Sequence, residues 1–298
     1  MLRPVALGIL ALAVPVAAAP PLTIGTVGGG KIDLAVDSGG STPEIESWVR
    51  RAATAVSSFY GRFPVAHLKL TVARVSGRRI FGTTFGGHLI RMQLGTDATA
   101  TALEHDWTLT HEMLHLGFPS LDHNHHWMEE GEATYFEPIA RVRAGNLEVD
   151  RYWKELLGGL PQGLPDDGDE GLDRTPTWGR TYWGGALFWF LADLEIREAT
   201  QNRRSADDAL RAILAAGGDG ESDWPIERVL ATGDRATGTK VLASLYDRMA
   251  THPFPVDIGA LSARLGVHLA DGAVSYDDAA PLAAIRRSMT SASENGRR

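Results

Sequence analysis

Two histidines stand four residues apart in the segment Thr110-His111-Glu112-Met113-Leu114-His115. On an α-helix, residues at this spacing lie about 40° apart around the axis and roughly 6 Å apart along it. Both imidazoles can then reach one metal ion from the same face, and Glu112 lies at the flank of that face. A carboxylate there can act on a water molecule at the metal without being a ligand itself. The segment predicts a helix that carries a zinc site, and an ordinary amphipathic helix is the alternative.

The composition limits both the architecture and the metal ligands. The chain has 298 residues, of which 44% are hydrophobic, so it can bury a large core in one domain or in two lobes. Because it contains no cysteine, a metal must be held by histidine and carboxylate side chains. The formal net charge of −8 gives no basic footprint, and we therefore expect no nucleic-acid partner.

The first residues have the features of a secretory signal. Arg3 supplies a positive charge, residues 5–16 form an apolar run, and Ala17 to Ala19 are small enough for cleavage. We predict a signal peptide over residues 1–18, cut after Ala18, and an exported protein that is periplasmic or extracellular. The apolar run is too short to span a bilayer well, so stable membrane insertion is not expected; an uncleaved anchor is the alternative.

Strand patterns come first along the chain and helix patterns follow. Two β-prone runs lie between Leu22 and Asp37, and strands are predicted over 67–75 and 88–94. Helices are predicted from Ser41 to Gly61 and over 99–116, 127–143, 149–159, 180–199, 205–216, 224–233, 237–250 and 257–265. This order predicts an α+β fold in one domain over 19–298, with a mixed β/α lobe at 19–97 and a helical lobe at 98–298.

A catalytic zinc needs three protein ligands and one open position. One source of the third ligand is the metzincin extension, in which a glycine and a third histidine follow the motif at fixed offsets. Here Gly117 comes one residue early and Leu121 stands where that histidine is needed, so this source is excluded. A glutamate on the next predicted helix is another source. The loop histidines His123, His125 and His126 are rival ligands, for which a solvated polar loop is the alternative.

The next helix carries the segment Trp127-Met128-Glu129-Glu130-Gly131-Glu132-Ala133-Thr134-Tyr135. This segment resembles the ligand helix of the gluzincins, especially the aminopeptidase-N-like and glycyl-aminopeptidase families and the small peptidase-MA-like domains. The resemblance implies that Glu130 is the third ligand of one zinc ion, together with His111 and His115. By the same match Glu129 and Glu132 are not ligands. It also implies a thermolysin-like catalytic unit, with a small N-terminal β-sheet lobe packed on a mainly helical C-terminal lobe.

Two further residues receive roles from the same resemblance. The segment from Arg180 to Leu187 is similar to the Tyr-x-x-Gly-Ala helix start of these families, which implies that the Tyr182 hydroxyl stabilises an oxyanion. The lysine usual before the glycine is Gly184 here, and core packing of Tyr182 is the alternative. Glu137 lies seven residues after Glu130 on one face of the helix, and the resemblance implies that it orients a ligand histidine. A plain surface carboxylate is the alternative for Glu137.

The segment Phe85-Gly86-Gly87-His88 leads into the strand before the motif helix. In gluzincins the corresponding edge strand pairs with the substrate backbone, so Gly86 and Gly87 are expected to border the substrate. Aminopeptidase-N-like enzymes also carry there a glutamate that grips the α-amino group of the substrate. This chain has no such glutamate, so the resemblance does not decide between aminopeptidase and endopeptidase action.

These features predict an exported, zinc-dependent metallopeptidase that acts on a peptide or protein substrate. In this interpretation Glu112 takes a proton from water and later delivers it to the leaving amine. The alternative is a non-catalytic, peptidase-like binding protein with structural zinc or no zinc. The intact Glu112 argues against that alternative, because a purely structural site needs no general base.

Overall fold

A computed structural model describes residues 21–26, 28–37 and 40–291, and the predicted signal peptide lies outside these residues. Its N-terminal part is a five-stranded sheet in the order β1-β2-β3-β5-β4. The strands are β1 (Leu22–Gly25), β2 (Lys31–Val36), β3 (His67–Val75), β4 (Ile80–Phe85) and β5 (Leu89–Gly95). The pairs β2–β3 and β3–β5 are parallel, whereas β1 and β4 pair antiparallel with their neighbours. One edge of the sheet is therefore β4.

The sheet and the first helix share one core. Helix α1 (Pro43–Tyr60) connects the parallel strands β2 and β3; the Thr42 side chain caps it and it ends at Gly61. Its apolar side chains at helical spacing are buried, as are alternate side chains of the central strands. The buried side chains are Ile45, Trp48, Val49, Val56 and Phe59 of α1, Leu68, Leu70 and Val72 of β3, and Ile90, Met92 and Leu94 of β5.

The rest of the chain is mainly helical. Its helices are α2 (Ala100–Glu104), α3 (Thr108–Leu114), α4 (His126–Arg143), α5 (Val149–Gly159), α6 (Gly185–Ala199), α7 (Ala206–Ala215), α8 (Ile226–Thr237), α9 (Val241–Met249), α10 (Ile258–Leu265) and α11 (Ala283–Thr290). A two-stranded hairpin, β6 (Val267–Ala270) and β7 (Ala273–Tyr276), lies between the last two helices. The α+β prediction is thereby confirmed. Among the described residues, no helix combines the length and the apolar character that crossing a bilayer requires.

The helix predicted over 99–116 is wrong in one respect, because the structure divides it at residues 105–107. The carboxylate of Asp106 accepts a hydrogen bond from the Leu109 amide (3.1 Å), which caps the start of α3. The same carboxylate accepts from the Trp48 indole on α1 (2.8 Å). Helix α3 then continues as a 3-10 turn over His115–Gly117. The motif helix is short, and a contact from α1 fixes where it begins.

Helices α4 and α6 approach each other so closely that their backbones touch. A side-chain carbon placed on Gly131 would lie 2.2 Å from the backbone of Gly185. One placed on Gly185 would lie 2.0 Å from the carbonyl oxygen of Trp127. Next to this contact the Trp189 indole donates to the Met128 carbonyl (3.0 Å). The crossing point of these two helices therefore has room only for glycine.

We expect Gly131→Ala to lower the free energy of unfolding by about 1–3 kcal/mol, because the added methyl group must push α4 and α6 apart. Gly158→Ala is the matched control, since Gly158 also lies in a helix but has open space around it. That control should be neutral or stabilise by up to about 1 kcal/mol. Urea denaturation of the metal-free proteins measures both effects. Equal stability of the two variants would contradict the close packing described above.

Candidate metal centre

A cleft of about 430 Å³ separates the edge strand β4 from helices α3 and α4. Strand β4 contributes residues 80–84 to one wall, and α3 contributes His111 and Glu112 to the other. His115, Glu130 and Tyr182 also line it. The cleft therefore collects most of the residues that the sequence motifs single out, whereas Glu137 lies outside it.

His111, His115 and Glu130 bring their donor atoms to one place. The Glu130 Oε2 atom lies 3.2 Å from His111 Nε2 and 3.6 Å from His115 Nε2. One ligand atom from each residue lies within 4.8 Å of the other two, and all three side chains are largely buried. Among residues 21–26, 28–37 and 40–291, these are the side chains placed to hold a metal ion together, and they are here called the three-donor group.

The electrostatics of this group favour a positive charge at its centre. Burial alone would raise the pKa of Glu130, but the two histidines hold it far below its usual range. Burial alone would lower the pKa of His115, but Glu130 and the nearby carboxylates raise it to about 9. A proton and a metal ion compete for such a site, since a ligand histidine must be neutral. Two imidazoles and one carboxylate are a donor set that suits zinc, and the residues present fit one zinc ion.

Glu112 points from α3 towards β4. Its Oε2 atom accepts a hydrogen bond from the Thr84 hydroxyl (2.7 Å), and the same hydroxyl lies 2.8 Å from the Glu112 carbonyl. A side-chain carbon at Gly82 would lie 2.5 Å from the Glu112 side chain. Thr84 and the space left by Gly82 therefore fix the position of the carboxylate. Both lie in a Gly/Thr-rich stretch to which the sequence patterns assign no such role.

Tyr182 reaches the cleft from a π-helical turn over Arg180–Gly184, which starts the helix predicted over 180–199. Its ring lies 6.4 Å from the ring of His111. Burial, with the negative charges of Glu130 and Glu112, raises the pKa of Tyr182 to about 12. The hydroxyl therefore keeps its proton at neutral pH and can donate a hydrogen bond into the cleft.

Buried polar contacts fix the π-helical turn. The Arg180 guanidinium forms an ion pair with Asp169 (2.7 Å) and donates to the Gly163 carbonyl. A side-chain carbon at Gly163 would collide with the backbone of Trp183. The loop between α5 and the turn thus holds Tyr182 in place.

The loop histidines lie outside the three-donor group. His125 Nδ1 lies 3.0 Å from Asp173, which also accepts hydrogen bonds from the Trp127 indole (2.7 Å) and the Tyr246 hydroxyl (2.8 Å). His125 therefore helps to anchor the start of α4. His126 Nε2 lies 3.4 Å from the other oxygen of Glu130, whereas His123 is exposed.

Glu132 is a buried acid that sequence reasoning excludes as a ligand and otherwise misses. It is fully buried, and its Oε1 accepts a hydrogen bond from the Tyr60 hydroxyl (3.0 Å). Burial raises the pKa of Glu132 to about 7. The sequence feature that could have revealed this burial is the position of Glu132 between the small residues Gly131 and Ala133. Small residues allow a helix to pack tightly, and a charged residue is unexpected there.

Glu137 lies on α4 where the sequence predicts it, and it is buried rather than a plain surface carboxylate. Its Oε1 accepts a hydrogen bond from the Arg141 guanidinium (2.9 Å). Burial raises the pKa of Glu137 to about 7, although Arg141 opposes this effect. Glu137 thus contacts Arg141, and its role in orienting a ligand histidine stays a prediction.

Gly86 and Gly87 form the turn between β4 and β5 and line one end of the cleft. Both have positive φ, and Gly87 packs against the backbone of Gly220. The edge strand beside the motif helix is β4, over residues 80–85, and the predicted strand 88–94 is its partner β5. The two glycines thus border the cleft from a turn, not from the strand edge.

Solved structures share this fold. An aminopeptidase N family protein from Idiomarina loihiensis matches with a TM-score of 0.64 and 14% identity, over 83% of this chain and 49% of that chain. A mutant of the M1 zinc metallopeptidase from Deinococcus radiodurans matches with a TM-score of 0.50 and 17% identity, over 81% and 53%. This chain thus spans about half the length of each. No protein-family model and no curated protein sequence matches it. The likeness confirms the predicted fold.

We expect the purified protein to bind one zinc ion through the three-donor group. Glu130→Gln removes a charged donor, so zinc affinity should fall by more than the roughly 10–100-fold that loss of an outer-shell partner costs. Glu129→Gln is the matched control, because Glu129 uses Oε1 to accept from the Leu121 amide, which glutamine can also do. Competition with a chromophoric chelator measures both affinities. An equal loss in the two variants would refute the assignment of Glu130.

Proposed function

We propose that this protein is a zinc-dependent metallopeptidase of the gluzincin type, acting on a peptide or protein substrate. One observation carries the proposal: three donors of zinc-binding type converge in a cleft that also holds Glu112 and the Tyr182 hydroxyl. A structural zinc site is typically closed by four protein ligands, whereas a catalytic one keeps a position open. The three donors found among the described residues fit the second kind.

His111, His115 and Glu130 would hold the zinc ion. When bound, zinc polarises the scissile carbonyl and makes a water molecule more acidic. Glu112 is placed to take a proton from that water and to pass it to the leaving amine. The Thr84 hydroxyl holds the carboxylate at the wall of the cleft, so that little reorientation is needed when substrate arrives.

Tyr182 donates a hydrogen bond to the oxygen that becomes negatively charged in the transition state. A donor suits this task when it is present before the charge develops, because no reorganisation is then needed. The raised pKa of Tyr182 keeps the proton on the hydroxyl across the neutral range. The π-helical turn and its buried Arg180 contacts support this arrangement by fixing the turn.

The edge strand β4 binds the backbone of the substrate. An edge strand leaves one row of amide and carbonyl groups unpaired, and an extended peptide can pair with them. Residues 80–84 line the cleft beside the motif helix, so a peptide added there passes the three-donor group. This backbone pairing is the same for a peptide with a free amino terminus and for one without.

Replacing Glu112 by glutamine should lower kcat by about 100- to 10,000-fold, because the proton acceptor is lost. Zinc content should stay at one ion per chain, since Glu112 is outside the three-donor group. Cleavage of a mixed peptide library, followed by mass spectrometry, measures the first effect, and elemental analysis measures the second. Wild-type activity in the zinc-loaded variant would reject the mechanism. A wild-type protein that binds peptides but cleaves none would favour the non-catalytic alternative.

Replacing Tyr182 by phenylalanine should reduce kcat by about 100- to 1,000-fold with little change in KM, because the lost hydrogen bond forms mainly in the transition state. Tyr276→Phe is the control, since its hydroxyl bonds Asp150 on the surface and lies outside the cleft. Steady-state kinetics on one cleaved peptide compare the two. A rise in KM with unchanged kcat would assign Tyr182 to substrate binding instead.

A further inference from the structure

A second and larger cavity of about 810 Å³ adjoins the metal cleft. The two cavities share three lining residues: Trp107, His111 and Tyr182. Because the shared residues include a metal-binding histidine and the hydroxyl donor, a substrate bound at the metal centre can extend directly into this second space. Its size lies within the range of ligand pockets, about 300–1,000 Å³, and is ample for a large side chain.

Four rings follow one another along the boundary of the two cavities. Trp107 lies edge-on to His111 with ring centroids 5.6 Å apart, His111 faces Tyr182 at 6.4 Å, and Tyr182 faces Trp178 at 5.6 Å. The two tryptophans at the ends of this row are 52% and 61% exposed. Large aromatic side chains exposed beside a cleft are characteristic of binding sites rather than of packing.

Both tryptophans lie at the ends of helical segments and not inside a packed helix face. Trp107 lies in the break before α3, and Trp178 lies just before the π-helical turn. The neighbouring aromatic residues Phe188 and Trp189 are fully buried in α6. Trp107 and Trp178 thus remain exposed at the cavity next to the candidate metal centre, while these neighbouring rings are buried.

We propose that this cavity is the subsite for an aromatic side chain next to the scissile bond, with Trp107 and Trp178 as the specificity-determining residues. Both indoles line the cavity, so an aromatic ring that enters it can lie against one of them, and such ring pairs add to the gain from burying the apolar surface. The inference rests on the proposed function, since it assigns a substrate preference to the same site.

The charges in the cavity argue against a cationic side chain as the occupant. Three cationic residues line it, of which Arg141 pairs with Glu137 and Arg151 pairs with Glu155. Lys154 donates to the carbonyl of Gly272. The cations thus exceed the carboxylates by one, three against two. A lysine or arginine side chain would meet like charge there, whereas a neutral ring would not.

The test is a positional peptide library cleaved by the zinc-loaded wild-type protein. Phenylalanine, tyrosine and tryptophan should exceed alanine by about tenfold or more in kcat/KM at one position beside the cut bond. In Trp107→Ala and in Trp178→Ala this ratio should fall severalfold, and Trp178→Phe should retain most of it. Tyr276→Ala, which removes an exposed ring outside both cavities, should keep the wild-type ratio.

A preference for arginine or lysine on both sides of the cut bond would overturn the proposal. So would an unchanged ratio of aromatic to alanine kcat/KM in Trp107→Ala and Trp178→Ala.

A binding measurement separates the proposed subsite from the proposed function. The zinc-loaded Glu112→Gln protein should bind an acetylated pentapeptide with a central phenylalanine more tightly than its alanine analogue, and Trp178→Ala in that background should remove the difference. If the wild-type protein cleaves nothing but shows this difference, the subsite stands and the enzymatic function fails. If the protein cleaves peptides without any aromatic preference, the enzymatic function stands and the subsite fails.

Discussion

The backbone contact between Gly131 and Gly185 is the constraint on which the site depends. Glu130 is the residue immediately before the first glycine, and Tyr182 lies three residues before the second. Because the two helices meet without side chains between them, the distance between these two functional groups is set by backbone packing rather than by flexible contacts. The Trp189 indole, which bonds the Met128 carbonyl, fixes the same crossing from a second point.

Buried carboxylates at the candidate metal centre are costly to keep ionised, and a bound cation would offset that cost. Glu112, Glu130 and Glu132 all contribute negative charge around His115, and burial disfavours the ionised forms of Glu130 and Glu132. The fold meets part of this cost with hydrogen bonds from Thr84 and Tyr60. A bound cation would meet the rest, and because it binds the folded chain, its binding free energy also stabilises the fold.

Helical periodicity predicts the spacing of His111 and His115 and the helix that carries Glu130, whereas the roles of Glu130 and Tyr182 follow only from the resemblance to the gluzincins. The features that sequence patterns miss depend on distant partners. The break before α3 is fixed by Trp48, far away on α1, which bonds Asp106. Strand β4 has a Gly/Thr-rich sequence with weak strand character, and pairing with β5 makes it a strand. The anchoring role of Asp173 likewise needs donors from α4 and α9.

In the proposed function, catalysis and substrate selection depend on different parts of the fold. The groups that would perform the chemistry are fixed by buried contacts: Thr84 on Glu112, the glycine crossing beside Glu130, and Arg180 beneath the turn of Tyr182. The two exposed tryptophans lie on segment ends, where a change of side chain disturbs little packing. In the proposed function, substitution at these ends would alter which side chain the cavity accepts, while the positions of Glu112, Glu130 and Tyr182 stay unchanged. On this proposal the reacting groups lie beside the rigid crossing of α4 and α6, and the residues that select the substrate lie on exposed segments. Substrate preference could then change through Trp107 and Trp178 without repacking of the helices.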